Sequence, residues 1–170
     1  KQIHSMDVAE QNFGSYSDGE LVRYTDLKSA CNDPEVDALM ICTPNHTHVD
    51  ILSTAMASGK PIFLEKPMAT TLKDAADIVN ASDSYSSFLQ IGLQYRYKAQ
   101  YIEAFQEVQS RGSIGTIKTI SMSEYRPPFL DKVGQWNKFN KNTGGTLVEK
   151  CCHYFDLMNF AADAKPKKVY

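Results

Sequence analysis

Two short, unbroken apolar runs constrain this chain more than anything else in it. Ala38-Leu39-Met40-Ile41-Cys42 sits between Asp37 and Thr43-Pro44-Asn45, and Pro61-Ile62-Phe63-Leu64 runs into Glu65-Lys66-Pro67. Continuous rather than alternating apolar residues predict strands buried on both faces, as in a parallel sheet. Between the runs, His48 to Ser58 carries Val49, Leu52, Ala55 and Met56 at helical spacing, with Gly59 as its stop. Thr71 with Asp74 forms a capping box for a further helix, with Leu72, Ala75, Ala76 and Val79 on one face. Phe88 to Leu93 reads as a third strand. Strand, helix, strand, helix, strand predicts an α/β fold built on a doubly wound parallel sheet. Ahead of it, the first thirteen residues read as a helix stopped by Gly14, and Leu21 to Tyr24 as a short strand. Asp26 reads as the N-cap of a helix ending at Ala30 or Cys31.

The grammar changes after Arg96. Residues 99 to 111 predict a helix with Ile102, Phe105 and Val108 inside, ended by Gly112. Thr116 to Arg126 is β-prone and stops at Pro127-Pro128. Phe129 to Gly145 is loop-like, Thr146 to Ala162 predicts a final helix, and Val169-Tyr170 begins another strand. A boundary near residue 95 follows. Residues 1–94 form part of a Rossmann-type unit, and residues 95–170 begin an α+β unit with a mainly antiparallel sheet.

Composition excludes several classes. Eighteen basic residues against twenty acidic ones give a net charge of −2, so nothing recommends nucleic acid or an anionic membrane as a partner. No apolar stretch approaches the length of a membrane span, and no targeting peptide is visible, so a cytoplasmic location is expected. Four cysteines, two of them adjacent (Cys151 and Cys152), fit neither a disulfide framework nor paired zinc spacing. No Gly-x-Gly-x-x-Gly and no P-loop occurs.

In open parallel sheets, ligands sit outside the carboxyl ends of the strands. Those ends carry Thr43-Pro44-Asn45-His46, Glu65-Lys66-Pro67 and Gln94-Tyr95-Arg96, three polar clusters along one edge. On the final helix, Glu149, His153 and Asp156 fall within an arc of roughly 60° at helical pitch, closed one turn later by Phe160. A carboxylate one turn before a histidine can fix its tautomer, as a general base requires. Spacing alone fits a partly solvated face at least as well. His46, His48 and Asp50 invite a metal reading. Ligands two apart on a starting helix diverge, however, and no third ligand stands at suitable spacing, so no metal is expected. Cys151 and Cys152 suit small core positions. Trp136 and Tyr95 either wall a sugar-sized pocket or pack, packing being the simpler reading.

Taken together and in this order, the clusters resemble the Gfo/Idh/MocA oxidoreductases, the glucose–fructose oxidoreductase and inositol dehydrogenase family. The resemblance is carried by Tyr24-Thr25-Asp26-Leu27, Asp33 to Ala38, Cys42 to His48, Gly59-Lys60-Pro61 and above all Glu65-Lys66-Pro67. Gln94-Tyr95-Arg96-Tyr97 and Gly144-Gly145-Thr146-Leu147, with Glu149 and His153, complete it. It implies an N-terminal Rossmann domain for NAD or NADP and a C-terminal α/β domain that often builds homo-oligomers. It implies that Thr43, Pro44, Asn45 and His46 lie along the cofactor, and that Glu65 meets the nicotinamide ribose. Lys66 matches the substrate-contacting lysine beside the cofactor, His153 the catalytic histidine, and Glu149 the carboxylate that orients it. Arg96, Trp136 and Asp156 are placed near the substrate. The implied reaction is hydride transfer between nicotinamide and a sugar or cyclic polyol carbinol.

Three departures bear on these expectations. The usual Asp-x-Gly-x-His reads Glu149-Lys150-Cys151-Cys152-His153, and a proline often found three residues after Arg96 is replaced by Ala99 at that position. The Gly-rich first unit is not in the sequence, so the chain is expected to be inactive by itself. Two other readings share the scaffold: NAD-dependent glycoside hydrolysis and a non-catalytic, cofactor-sensing regulator.

Overall fold

A computed structural model describes residues 22–170. The helix expected over the first thirteen residues, its Gly14 stop and Leu21 lie outside the described residues. Residues 22–24 form no strand.

Three parallel strands, β1 (Leu39–Ile41), β2 (Ile62–Glu65) and β3 (Leu89–Gly92), make a sheet in the order β1-β2-β3. Leu39 pairs with Ile62, Ile62 with Leu89, and Glu65 with Gly92. β1 and β3 fall inside the stretches that predicted them, and β2 takes Ile62 to Leu64 of its run and one residue more, Glu65. α1 (Leu27–Asn32) precedes β1, and α2 (His48–Met56) and α3 (Leu72–Asp83) connect the strands. The Asp26 carboxylate accepts from Ser29 N–H at 2.9 Å and starts α1, and Thr71 Oγ1 accepts from Asp74 N–H at 3.1 Å and starts α3. Each cap satisfies a donor that the first turn leaves unpaired.

Leu39, Ile41, Ile62 and Leu64 pack with Leu52 and Ala55 of α2 and Ile78 of α3 in one core. The runs were expected to be buried on both faces. In β1 only Leu39 and Ile41 are buried, while Met40 is 71 % exposed on the opposite side. Among the described residues the helices of this core cover one side of β1, and the pleat sends Met40 to the other. The expected face of α3 also shifts. Leu72, Ala76 and Val79 are exposed; Ala75 packs against the core as expected, and Ile78 is the buried residue beside it. Leu72 is the first residue after the cap, where the turn still faces solvent.

Beyond β3 come a 3₁₀ turn (Gln94–Tyr97), α4 (Ala99–Phe105) and a π-helical extension (Gln106–Ser110). The β-prone stretch Thr116–Arg126 forms no ladder. Among the described residues, no backbone-to-backbone hydrogen bond reaches residues 116–131. Propensity alone cannot make a strand, because its N–H and C=O groups need a neighbouring chain. The expected antiparallel sheet is accordingly not formed among the described residues. Residues 129–145, read as loop, contain a 3₁₀ segment (Val133–Lys138) and the short α5 (Asn140–Thr143).

The helix expected from Thr146 to Ala162 is two: α6 (Thr146–Glu149) and α7 (Cys152–Ala162), broken at Lys150-Cys151. Gly144 and Gly145 precede α6 with φ of 77° and 84°, a region favourable only to glycine. A Cβ on Gly144 would stand 2.8 Å from the Thr70 carbonyl oxygen. The glycine thus lets α6 press against the segment that follows β2. No helix among the described residues is long and apolar enough to cross a membrane.

Candidate active site

The carboxyl ends of β1 and β2 are tied together from below. His48, the first residue of α2, is fully buried. Its Nδ1 lies 2.8 Å from the Pro67 carbonyl and its Nε2 lies 3.0 Å from the Thr43 carbonyl. A histidine weighed for metal binding is therefore a brace between two loops. Among the described residues no cluster of three or more His, Cys, Asp or Glu side chains is arranged to hold a metal ion. Thr47 Oγ1 donates to the Pro44 carbonyl at 2.7 Å and stands 2.8 Å from Thr43 Oγ1, tightening the turn after β1. Asn45 is buried there, and among the described residues its amide Nδ2 has no hydrogen-bond partner. A buried donor left unpaired is costly unless something outside the chain accepts from it.

Glu65 ends β2 and accepts from the Lys66 N–H at 3.0 Å, and the Lys66–Pro67 peptide is cis. From this turn Lys66 reaches across to the final helices, where its Nζ donates to the Glu149 carbonyl at 2.9 Å. This bond brings the β2 end to within one turn of His153. Glu149 and His153 are both buried, the latter only 2 % exposed. The break at Lys150-Cys151 separates them, and among the described residues no hydrogen bond joins the Glu149 carboxylate to His153. Instead His153 Nδ1 is without a partner. The orienting contact expected of Glu149 is thus not made through its side chain.

Tyr95 stacks on His153. The two rings lie 4.0 Å apart, centroid to centroid, and 6° from parallel. Lys98 Nζ sits 3.6 Å from the Tyr95 centroid, and Lys150 Nζ bonds the Tyr95 hydroxyl at 2.5 Å. Lys150 also pairs with Glu124 at 3.3 Å. Burial works against its charge, but the hydrogen bonds it makes to Tyr95, Tyr154 and Glu124 outweigh that and hold its pKa above the ordinary lysine value. The His153 imidazole is pushed down to about 4, first by burial and then by the charges of Lys66, Lys150 and Lys98; Asp156 only partly offsets them. At neutral pH His153 is a neutral imidazole with a lone pair to offer.

Arg96 and Asp156, both placed near the substrate by resemblance, bind each other. Arg96 Nε donates to one Asp156 oxygen at 2.6 Å and a terminal nitrogen to the other at 2.5 Å. The guanidinium also lies 4.5 Å from the Phe160 ring centroid. The pair therefore fixes the 3₁₀ turn after β3 to α7. Trp136 stands edge-on to His46 at 6.3 Å, in a segment where Gly134 and Gln135 both have positive φ. From the sequence, Tyr95 is expected to wall a pocket or to pack, and neither Lys98 nor Lys150 is given a role. Lys150 gave no signal at all, since an unbroken helix would carry it off the Glu149–His153 face.

Three polar clusters converging at the carboxyl edge of a parallel sheet mark the place where doubly wound α/β proteins bind their ligands. The comparison with known proteins agrees with this frame. Residues 5–93 match the oxidoreductase family with an NAD-binding Rossmann fold, and residues 109–170 match the C-terminal alpha/beta domain of the same family. The chain belongs to the Gfo/Idh/MocA family of NAD-binding oxidoreductases. It is 25 % identical over 168 residues to the uncharacterized oxidoreductase YrbE of Bacillus subtilis, covering 96 % of this chain and 47 % of that protein. It is 28 % identical over 164 residues to an inositol 2-dehydrogenase of Rhizobium meliloti, covering 95 % of this chain and 46 % of the relative. Its fold superposes on myo-inositol 2-dehydrogenase from Lactobacillus plantarum with a TM-score of 0.65 at 23 % identity, covering 91 % of this chain and 44 % of that one. The chain spans less than half the length of these relatives.

Proposed function

We propose that this chain carries the proton-handling and substrate-orienting part of an NAD(P)-dependent dehydrogenase acting on a sugar or cyclic polyol. The observation that carries the reading is the Lys66 bridge to the Glu149 carbonyl, which sets an ammonium and a neutral, buried imidazole at one sheet edge. In this reading His153 takes the hydroxyl proton of a carbinol. Lys66 holds the oxygen from which that proton leaves, stabilising the charge that develops there. Bound NAD or NADP supplies the hydride acceptor.

The residues present suit one end of such a cofactor. The unpaired Asn45 amide is a donor waiting for an acceptor, and Thr43, Pro44 and His46 surround it on the same turn. Glu65 would meet the nicotinamide ribose. Trp136, beside His46, would wall the substrate, while Arg96 and Asp156 shape the site as a pair. Glu149 contributes through its main-chain carbonyl, which anchors Lys66. The boundary near residue 95 separates a cofactor-side unit from a substrate-side unit in the same reading.

The test is nicotinamide reduction with a panel of inositols, aldoses and sugar alcohols. It is run on the 170-residue chain and on the whole product of its reading frame. The chain alone is expected to be nearly inactive, and the whole product to reduce NAD or NADP with at least one polyol. In that product Lys66→Ala and His153→Ala should each lower kcat by about 100-fold or more. Reduction with no member of the panel, or full activity in both variants, overturns the proposal.

A further inference from the structure

We propose that Tyr95 is the positioning residue of His153: it fixes the imidazole plane by stacking, and Lys98 and Lys150 hold Tyr95 in place. The inference rests on the reading of His153 as the proton-handling residue, but its evidence is separate. A general base is ordinarily oriented by a hydrogen bond from its far nitrogen to a carboxylate or carbonyl. Here that nitrogen, Nδ1, is buried and has no partner, and no hydrogen bond to Glu149 replaces it. What touches the ring is the face of Tyr95, parallel to within 6° at a separation of 4.0 Å.

The tyrosine is itself held from two directions. With His153 against one face, the Lys98 ammonium at 3.6 Å from the centroid must lie over the other. The hydroxyl at the ring edge is bonded to Lys150 at 2.5 Å, and Lys150 is anchored to Glu124. Tyr95 is thus a plate with a cation behind it, a cation at its rim and the imidazole in front. A cation drawn to the back of a π-system strengthens the hold on the plate without touching the histidine.

The charged and titratable groups around the imidazole come from every element that meets it. They are Lys66 from the end of β2, Lys98 beyond the 3₁₀ turn, Lys150 at the helix break, and Cys152 and Asp156 on its own helix. Burial first, and then three ammonium groups against one carboxylate, keep the ring neutral, so its lone pair stays available. Stacking fixes the plane of the ring and leaves Nδ1 without a partner among the described residues, a suitable arrangement for a group that must gain and lose a proton.

The experiment is proton–nitrogen correlation NMR of the imidazole groups in the 170-residue chain, followed across pH, with far-ultraviolet circular dichroism as the check of folding. Wild-type His153 should show ring protons shifted upfield by the Tyr95 ring and should resist protonation well below the ordinary histidine range. Tyr95→Leu should move those protons downfield by several tenths of a ppm, and Tyr95→Phe should restore most of the shift. Lys150→Met, which removes the contact at the rim and leaves Lys98 behind the ring, should reduce the upfield shift in part and raise the His153 midpoint. Unchanged His153 resonances in Tyr95→Leu overturn the proposal, as does a Tyr95→Phe that behaves like Tyr95→Leu. If Tyr95→Leu does not fold, Tyr95→Phe and Lys150→Met decide the matter alone. A Lys150→Met upfield shift identical to that of wild type, or loss of the upfield shift in Tyr95→Phe, is then fatal. None of these readouts needs turnover. A dehydrogenase assay that fails while the stack is seen counts against the proposed reaction and not against this role of Tyr95.

Discussion

His48 and His153 are both buried histidines of one small site, yet their surroundings give them opposite duties. His48 has two carbonyl oxygens within hydrogen-bond distance, so it is a structural brace. Removing it leaves the Thr43 and Pro67 carbonyls facing a void. An unsatisfied buried group costs about 1–3 kcal/mol, and the lost packing adds to that. His48→Ala should therefore destabilise the chain by about 2–4 kcal/mol, read as a fall in the urea midpoint with little change in slope. His153 has no such partners, and its surroundings oppose its protonation. Its pKa lies near 4 in the folded chain and near 6.5 when unfolded. Between those values the unfolded chain binds the proton that the folded one refuses. Its contribution to stability is thus complete above about pH 6.5 and is lost progressively as pH falls toward 4. Urea titrations across that window should show His153→Gln flattening the pH dependence relative to wild type.

The strands were legible because each is an apolar run closed off by proline, glycine or a polar cluster, all local signals. Caps were legible for the same reason: Asp26 and Thr71 each sit before a helix with the hydrogen-bonding side chain that its first turn requires. The break between α6 and α7 was not. No glycine or proline marks Lys150-Cys151, and helical periodicity runs straight through it. The turn is set by distant partners, Tyr95 and Glu124, which draw the Lys150 ammonium inward. The same dependence on distant chain defeated the β-prone stretch Thr116–Arg126, whose own residues favour a strand that nothing pairs. In the site, Lys66 and His153 were readable from motifs, whereas the stack that holds His153 exists only in three dimensions. Gly144 is the element-scale test of that assembly. Gly144→Ala adds a Cβ where the Thr70 carbonyl oxygen and Val148 already stand, at a φ that alanine disfavours. It should move α6 away from the β2 end and weaken the Lys66 bridge. Amide exchange at residues 146–157 should speed up while exchange in β1–β3 stays slow.

On the scale of the whole molecule, apolar surface is distributed unevenly. Met40, Phe88, Tyr125, Leu130, Val169 and Tyr170 are all exposed, and β1 has an open face. Residues 116–131 add backbone groups with no backbone partners among the described residues. Surface of this kind promotes association. The chain should sediment as larger species as its concentration rises from the micromolar range, and Met40→Lys should reduce that tendency. A concentration-independent monomer would refute this expectation. The bond between Lys66 and the Glu149 carbonyl joins residues 83 positions apart in sequence. Closing a loop of that length costs on the order of 4 kcal/mol in chain entropy. Contacts of such long range form late, after local helices and neighbouring strands have condensed. The joining of the β2 end to the final helices is therefore among the last things this polypeptide acquires as it folds. Any half-folded form will hold its sheet before it holds that bridge.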